Sequence, residues 1–187
     1  MSGARLVNLT IPIELLGKSC HDLRVHRTIT TSILTPQQLA AEVRRLTCAP
    51  AEWVARVRLD AEGRWYEQIR MDDAYELWLI SWLPGQSTGF HDHGGANGAF
   101  GVVWGELDEH VVVRGADGSL GGSVAKPVRA GAVRSFGPRH VHDVRNSAAG
   151  SVAVSVHAYS PPLSEMTRYD LTAGGLVPIR TEGTNDW

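Results

Sequence analysis

The sequence predicts a mainly β domain, a sandwich or barrel of many short strands, with a short helical segment in front of it. Three observations lead there. Apolar residues before about residue 58 recur at helical spacing. Beyond that point they alternate in short runs rich in branched and aromatic residues. Glycine and proline punctuate those runs throughout. Residues 1–57 are therefore read as a helical N-terminal segment packed on a barrel made by residues 58–187, in one structural domain.

The helix is expected to start at Thr35-Pro36-Gln37-Gln38. These residues offer a capping hydroxyl, proline at the first helical position and a glutamine able to cap back. Leu39, Val43 and Leu46 then share one face, Pro50 ends the element, and 51–57 adds a further turn or two. Strands are expected over Arg64–Met71, Tyr75–Leu83, Ala99–Trp104, Glu109–Arg114, Val133–Phe136, Val141–Val144 and Val152–Tyr159. Ala99–Trp104 and Glu109–Arg114 read as a pair joined through Gly105-Glu106, and Asp117-Gly118 as a hairpin-type turn.

Composition removes several function classes. With 43% apolar residues and a net charge of −2, the chain can bury a core and does not read as disordered. Its 18 basic and 20 acidic residues give no global attraction to nucleic acid or to an anionic membrane, and no nucleic-acid motif is present. The most apolar run, Leu77–Leu83, is too short to span a bilayer. The stretch after Arg5 is broken by Pro12 and Glu14, against a secretory signal. Cys20 and Cys48 make neither a disulfide framework nor a metal-binding CxxC. A cytoplasmic protein is the expectation.

The 8 histidines are the compositional oddity, and their placement is informative. His91-Asp92-His93 puts two imidazoles on one face of a strand, where together they can bind one divalent metal. His21, His26 and His110 read as surface or core residues. The HxH lies within a longer frame of Gly85, Gly98 and Gly105, followed by Gly131, Pro138, His142 and Asn146. Two separated segments in this order resemble the two motifs of the cupin superfamily, which implies a jelly-roll β-barrel and a metal held by His91, His93 and His142. His140 competes with His142, since both could share a strand face. The usual cupin glutamate would fall at Asn97 or Gly98, and neither can act as an anionic ligand. Three neutral ligands leave a divalent metal at full charge, open to a thiolate or carboxylate.

A second cluster lies near the end. Ser155, His157 and Tyr159 share one strand face, while Val154, Val156 and Ala158 share the other. Hydrogen bonded in series, the three polar groups would orient the tyrosine hydroxyl; the alternative is the exposed face of an edge strand. A serine hydrolase is excluded, because no nucleophile elbow is present and the series ends on tyrosine rather than on an acid.

The segment SVHAYSPPLSEMTRYD from Ser155 to Asp170, together with HDHG and HDVRN, resembles the cysteine dioxygenase family of thiol dioxygenases over roughly residues 60–170. The resemblance implies one non-haem Fe(II) on His91, His93 and His142. It implies O₂ and a small thiol as partners, a sulfinate product, and catalytic Ser155, His157 and Tyr159 beside the iron. Trp82 matches a tryptophan that helps wall the family's pocket. Mammalian members crosslink a cysteine to the relay tyrosine; the matching position here is Gly98, as is common in bacterial members. Cysteine-specific members place a carboxylate-binding arginine two residues after a tyrosine, and Tyr66-Glu67-Gln68 puts glutamine there. This resembles the 3-mercaptopropionate branch, with Tyr66 and Gln68 in the substrate pocket, Arg168 facing the carboxylate and Arg70 as a rival. The competing classes are another metal-dependent cupin enzyme and a non-catalytic cupin binding module.

Overall fold

The structure is a computed structural model and describes residues 33–114, 120–184 and 186. The stretch after Arg5, Cys20, His21, His26 and the Asp117-Gly118 turn lie outside the described residues. Helix α1 spans Pro36–Thr47 and begins as its sequence directs. The Thr35 hydroxyl accepts from the Gln38 backbone N–H, and the Gln38 side chain accepts from that of Thr35 at 2.8 Å. Leu39, Ala40, Val43 and Leu46 are buried along one face. The continuation expected over 51–57 is instead two separate 3₁₀ turns, Pro50–Glu52 and Val54–Arg56. Trp53 between them is fully buried and donates its indole N–H to the Leu46 carbonyl at 3.1 Å, which folds the chain back under the helix end.

Eleven strands follow among the described residues: β1 Trp65–Met71, β2 Glu76–Trp82, β3 Phe90–His91, β4 Asn97–Trp104, β5 Glu106–Arg114, β6 Leu120–Arg129, β7 Val133–Phe136, β8 His142–Arg145, β9 Ala153–Ser160, β10 Glu165–Thr172 and β11 Gly175–Gly183. They form two antiparallel sheets, ordered β1-β2-β9-β4-β7 and β11-β10-β3-β8-β5-β6. The expected pairing of β4 with β5 does not occur. At Gly105 the chain leaves one sheet and enters the other, and β5 pairs with β6 and β8. Gly105 has φ 75°, and a Cβ there would lie 2.6 Å from the Val152 carbonyl, so this crossing needs glycine.

Strand alternation builds two cores. Leu77 and Leu79 of β2, Ala99 and Val103 of β4, and Val154, Val156 and Ala158 of β9 face outward and pack under α1 with Trp53 and Tyr75. Trp82, Phe100, Val102, Ala153 and Tyr159 face the barrel interior with Leu107, Val128, Phe136 and Val144. The polar face of β9 therefore looks into the barrel. Because β9 is flanked by β2 and β4 and is buried throughout, the edge-strand alternative for Ser155, His157 and Tyr159 is overturned. No described helix is long and apolar enough to cross a membrane.

Candidate active site

Register brings the histidines together. His91 of β3 is the direct cross-strand partner of His142 of β8, and on its other side of Arg168 of β10. His93 follows after strand pairing has ended, so it reaches the cluster from a turn rather than from a strand face. That turn is pinned by Asp92. Its carboxylate accepts from the backbone N–H groups of Gly94 and Thr167 and from the Tyr169 hydroxyl at 2.7 Å. One nitrogen from each of His91, His93 and His142 lies within 4.8 Å of the others.

The donor chemistry suits a divalent metal. The His91 Nδ1–H donates to the Gly89 carbonyl at 3.0 Å, and the His142 Nδ1–H to Glu109 Oε1 at 2.9 Å. Both rings therefore keep the Nε2 lone pair for a ligand. His93 Nε2 is buried without a hydrogen-bond partner, a costly orphan unless something binds it. Burial lowers all three histidines below their ordinary pKa, so each is a neutral imidazole at pH 7 and ready to ligate.

His140 does not join them. Its Nε2–H donates to the same Glu109 oxygen, also at 2.9 Å, from behind His142. Burial alone would push the Glu109 carboxyl up, but the imidazole N–H groups of His140 and His142 outweigh it and hold the group down at about 2. Asn146 is fully buried and ligates nothing; its amide ties the Trp82 and Ser151 carbonyls together. The place of the usual cupin glutamate is closed to a ligand. Asn97 donates to the Leu34 carbonyl at 2.9 Å, and a Cβ on Gly98 would strike the Phe136 ring. Phe136 itself lies 4.8 Å from the His93 ring centroid.

Ser155, His157 and Tyr159 form one hydrogen-bonded series. Trp82 Nε1–H donates to Ser155 Oγ at 2.8 Å, and Ser155 Oγ lies 2.8 Å from His157 Nε2. His157 Nδ1 lies 3.2 Å from the Tyr159 hydroxyl. The Ser155 hydroxyl has one proton and two acceptor sites, and Trp82 takes one of those sites. The remaining acceptor site and the proton both suit His157 Nε2, so the His157 tautomer sets the direction of the series. With its proton on Nδ1, His157 donates to Tyr159 and leaves the phenol proton for the cavity; with it on Nε2, the phenol donates to His157. Burial lowers His157 to about 3, with His142 and Arg64 adding to the effect. Burial also raises the Tyr159 phenol above its ordinary range, with the Glu76 charge second. Both groups are neutral at pH 7.

A cavity of about 610 Å³, counting its open mouth, lies over these groups. His91, His142, His157 and Tyr159 line it, with Tyr66, Trp78, Ile80, Leu163 and Met166 as an apolar wall. Of the expected substrate residues, Tyr66 and Arg168 reach the cavity. Arg168 is neutralised by Glu182, with its Nε 2.9 Å from Oε2, and donates to the Thr88 carbonyl. Gln68 does not line the cavity, and its amide is held by buried Glu76 at 2.8 Å. Trp82 lies behind the lining, under Ser155. Arg70 turns away, to Asp72 and the Tyr75 ring.

Arg64 was missed as a site residue. It lines the cavity, and no acid pairs with it among the described residues; its guanidinium lies 5.3 Å from the Trp82 ring centroid. Burial lowers its pKa, with the Arg168 charge second. The signal available in sequence was alternation, since Arg64, Tyr66 and Gln68 share a parity along β1 and its approach.

Two antiparallel sheets closed around a buried trihistidine cluster make this a cupin-type barrel able to hold a metal ion. A family model for cysteine dioxygenase type I matches residues 23–172, and the chain belongs to that family. Among solved structures, TT1209 from Thermus thermophilus is similar in fold, with TM-score 0.50 and 20% identity, over 58% of this chain and 93% of that one. A protein with a double-stranded beta-helix domain from Klebsiella pneumoniae has TM-score 0.49 and 16% identity, over 68% of this chain and 93% of that one. No curated protein matches the chain.

Proposed function

We propose that the chain is a non-haem Fe(II) thiol dioxygenase that converts a small carboxylate-bearing thiol, such as cysteine or 3-mercaptopropionate, to its sulfinate. The supporting observation is a cluster of three neutral imidazoles, two of them lining the cavity, that meets there the hydrogen-bonded Ser155-His157-Tyr159 series and the Arg64 guanidinium. Family membership supports the reaction class. The overall change balances without another reactant: RSH and O₂ give RSO₂H, with sulfur losing four electrons and O₂ gaining four.

His91, His93 and His142 would hold the iron. Bound there, Fe(II) supplies the one-electron chemistry that lets O₂ react with a thiolate. The chain's own residues do the rest. Arg64 offers a guanidinium fork to the substrate carboxylate in a cavity whose lining includes no acid. Tyr66, Trp78, Ile80, Leu163 and Met166 give the carbon chain an apolar wall and limit water. In the Nδ1–H tautomer of His157, Tyr159 presents to the cavity a hydroxyl proton that its raised pKa keeps in place, with Ser155 fixing the ring.

The direct test is isotope labelling. Iron-loaded protein is given each thiol under ¹⁸O₂, and both sulfinate oxygens are expected to be heavy. One heavy oxygen, or oxygen drawn from water, overturns the proposal. His142→Ala is expected to lose the metal; unchanged metal content would overturn the ligand assignment.

A further inference from the structure

Glu109 has no counterpart in the expected ligand set, yet it is among the most enclosed acids described, with a side chain 5% exposed. It sits on β5, diagonally across from His142 on β8, on the face that looks into the barrel. One carboxylate oxygen, Oε1, accepts from both His142 Nδ1–H and His140 Nε2–H at 2.9 Å. Its other oxygen faces Arg134, whose Nε is 3.9 Å away. A carboxylate buried this far from water is strongly destabilising unless its partners are good. A purely apolar barrel wall would have avoided that cost.

We propose that Glu109 is a positioning residue for the metal, supplying through His142 the negative charge that the trihistidine ligand set lacks. This rests on the trihistidine reading above. Two consequences follow from the geometry. The Glu109–His142 hydrogen bond locks His142 with Nε2 free toward His91 and His93, and it orients the ring. The carboxylate also draws on the Nδ1 proton, which makes the imidazole a stronger donor to a cation. The anion missing from positions 97 and 98 is thus placed one ring behind the site. There it leaves a coordination position open and does not repel an anionic substrate at short range. His140 moderates the effect. It donates to the same oxygen but is not one of the three proposed ligands, so it disperses the charge that Glu109 passes to His142.

The test uses the full chain and Co(II), titrated against a competing chelator, with wild type, Glu109→Gln and His140→Ala compared. Glutamine keeps an acceptor oxygen and loses the charge. Its Co(II) affinity is expected to fall about 10- to 100-fold, as for other partners of ligating histidines. His140→Ala is expected to bind as tightly as wild type or more so, because Glu109 is then left with His142 as its one imidazole partner. A merely structural role would weaken both. On iron, Glu109→Gln is expected to lower affinity for Fe(III) about tenfold more than for Fe(II), which raises the one-electron potential by about 60 mV. The proposal is overturned if Glu109→Gln binds within about twofold of wild type, or if His140→Ala weakens binding equally. If Glu109→Gln does not fold, His140→Ala decides: binding as tight as wild type or tighter supports the proposal, and weaker binding overturns it. A wild type that binds no Co(II) would overturn the trihistidine reading itself, a different failure from an unchanged variant.

Discussion

Trp82 Nε1 donates to Ser155 Oγ at 2.8 Å, and this contact anchors the hydroxyl at the start of the series that ends on Tyr159. Without it the Ser155 hydroxyl is free to turn away from His157, and the series that orients the phenol loosens. Trp82→Phe is therefore expected to lower turnover about five- to tenfold, the equivalent of one hydrogen bond of about 1 kcal/mol. Metal content should be unchanged. Tyr159→Phe, which removes the donor outright, should cost about a hundredfold, again with metal retained. Steady-state kinetics with metal analysis checks both. Equal losses in the two variants, or loss of metal in either, would contradict the series.

Arg64 and Gln68 make opposite predictions about specificity. Arg64→Gln should reduce kcat/KM for cysteine and 3-mercaptopropionate about 10- to 100-fold, the worth of a charge-assisted pair. Turnover of 2-mercaptoethanol, which has no carboxylate, should change little. Gln68→Ala should change either by less than about threefold, because its amide is spent on Glu76. If Gln68→Ala proves the larger effect, the glutamine reads the substrate after all.

Gly98 bears on the family's crosslink. Gly98 and Tyr159 are cross-strand partners, but the space a side chain would need at 98 is filled by Phe136. Gly98→Cys is expected to destabilise the fold by about 1–3 kcal/mol, as overpacking does, and to form no bond to Tyr159. Pairing it with Phe136→Ala should recover much of that loss. Urea unfolding and intact mass read both effects. An undisturbed fold with a crosslinked mass would contradict this packing.

His157 makes a pH prediction whose sign is set by its lowered pKa of about 3. The groups facing it are Ser155, Tyr159, Trp82, Phe100, His142 and Arg64. Unfolded, the ring takes a proton below about pH 6.5; folded, it refuses one until about pH 3. Its contribution to stability is therefore full above about pH 6.5 and is lost progressively as pH falls toward 3. Between pH 7 and pH 5 this one group should account for about 2 kcal/mol of lost stability. Metal-free His157→Gln should show a correspondingly shallower decline in urea titrations at the two pH values. An unchanged slope would mean that the folded ring takes up a proton as readily as the unfolded one.

Much of the site was legible because its chemistry is concentrated in short motifs. His91, His93 and His142 stand in a frame of glycines, and Ser155, His157 and Tyr159 alternate with apolar residues that pack under α1. Glu109 was not legible, since nothing local separates it from the solvated acids Glu106 and Asp108 beside it; only cross-strand register places it behind His142. Arg64 was obscured for the same reason: the sequence reads it as the first residue of a strand, and only the packing of the sheets shows that it lines the cavity. The pairing of β4 with β5 was misjudged because Gly105 looks like a hairpin turn and acts as a crossing between sheets. Strands β10 and β11 escaped notice because they alternate weakly and much of their surface is exposed.

The measurement closest to the central claim is oxygen uptake by Fe(II)-loaded protein, with L-cysteine and 3-mercaptopropionate in parallel and the product detected by mass. One sulfinate formed per O₂ consumed, with wild type and Trp82→Phe both active and His142→Ala inactive, is the predicted result. Oxygen consumption without sulfinate, or none with either thiol, would contradict it.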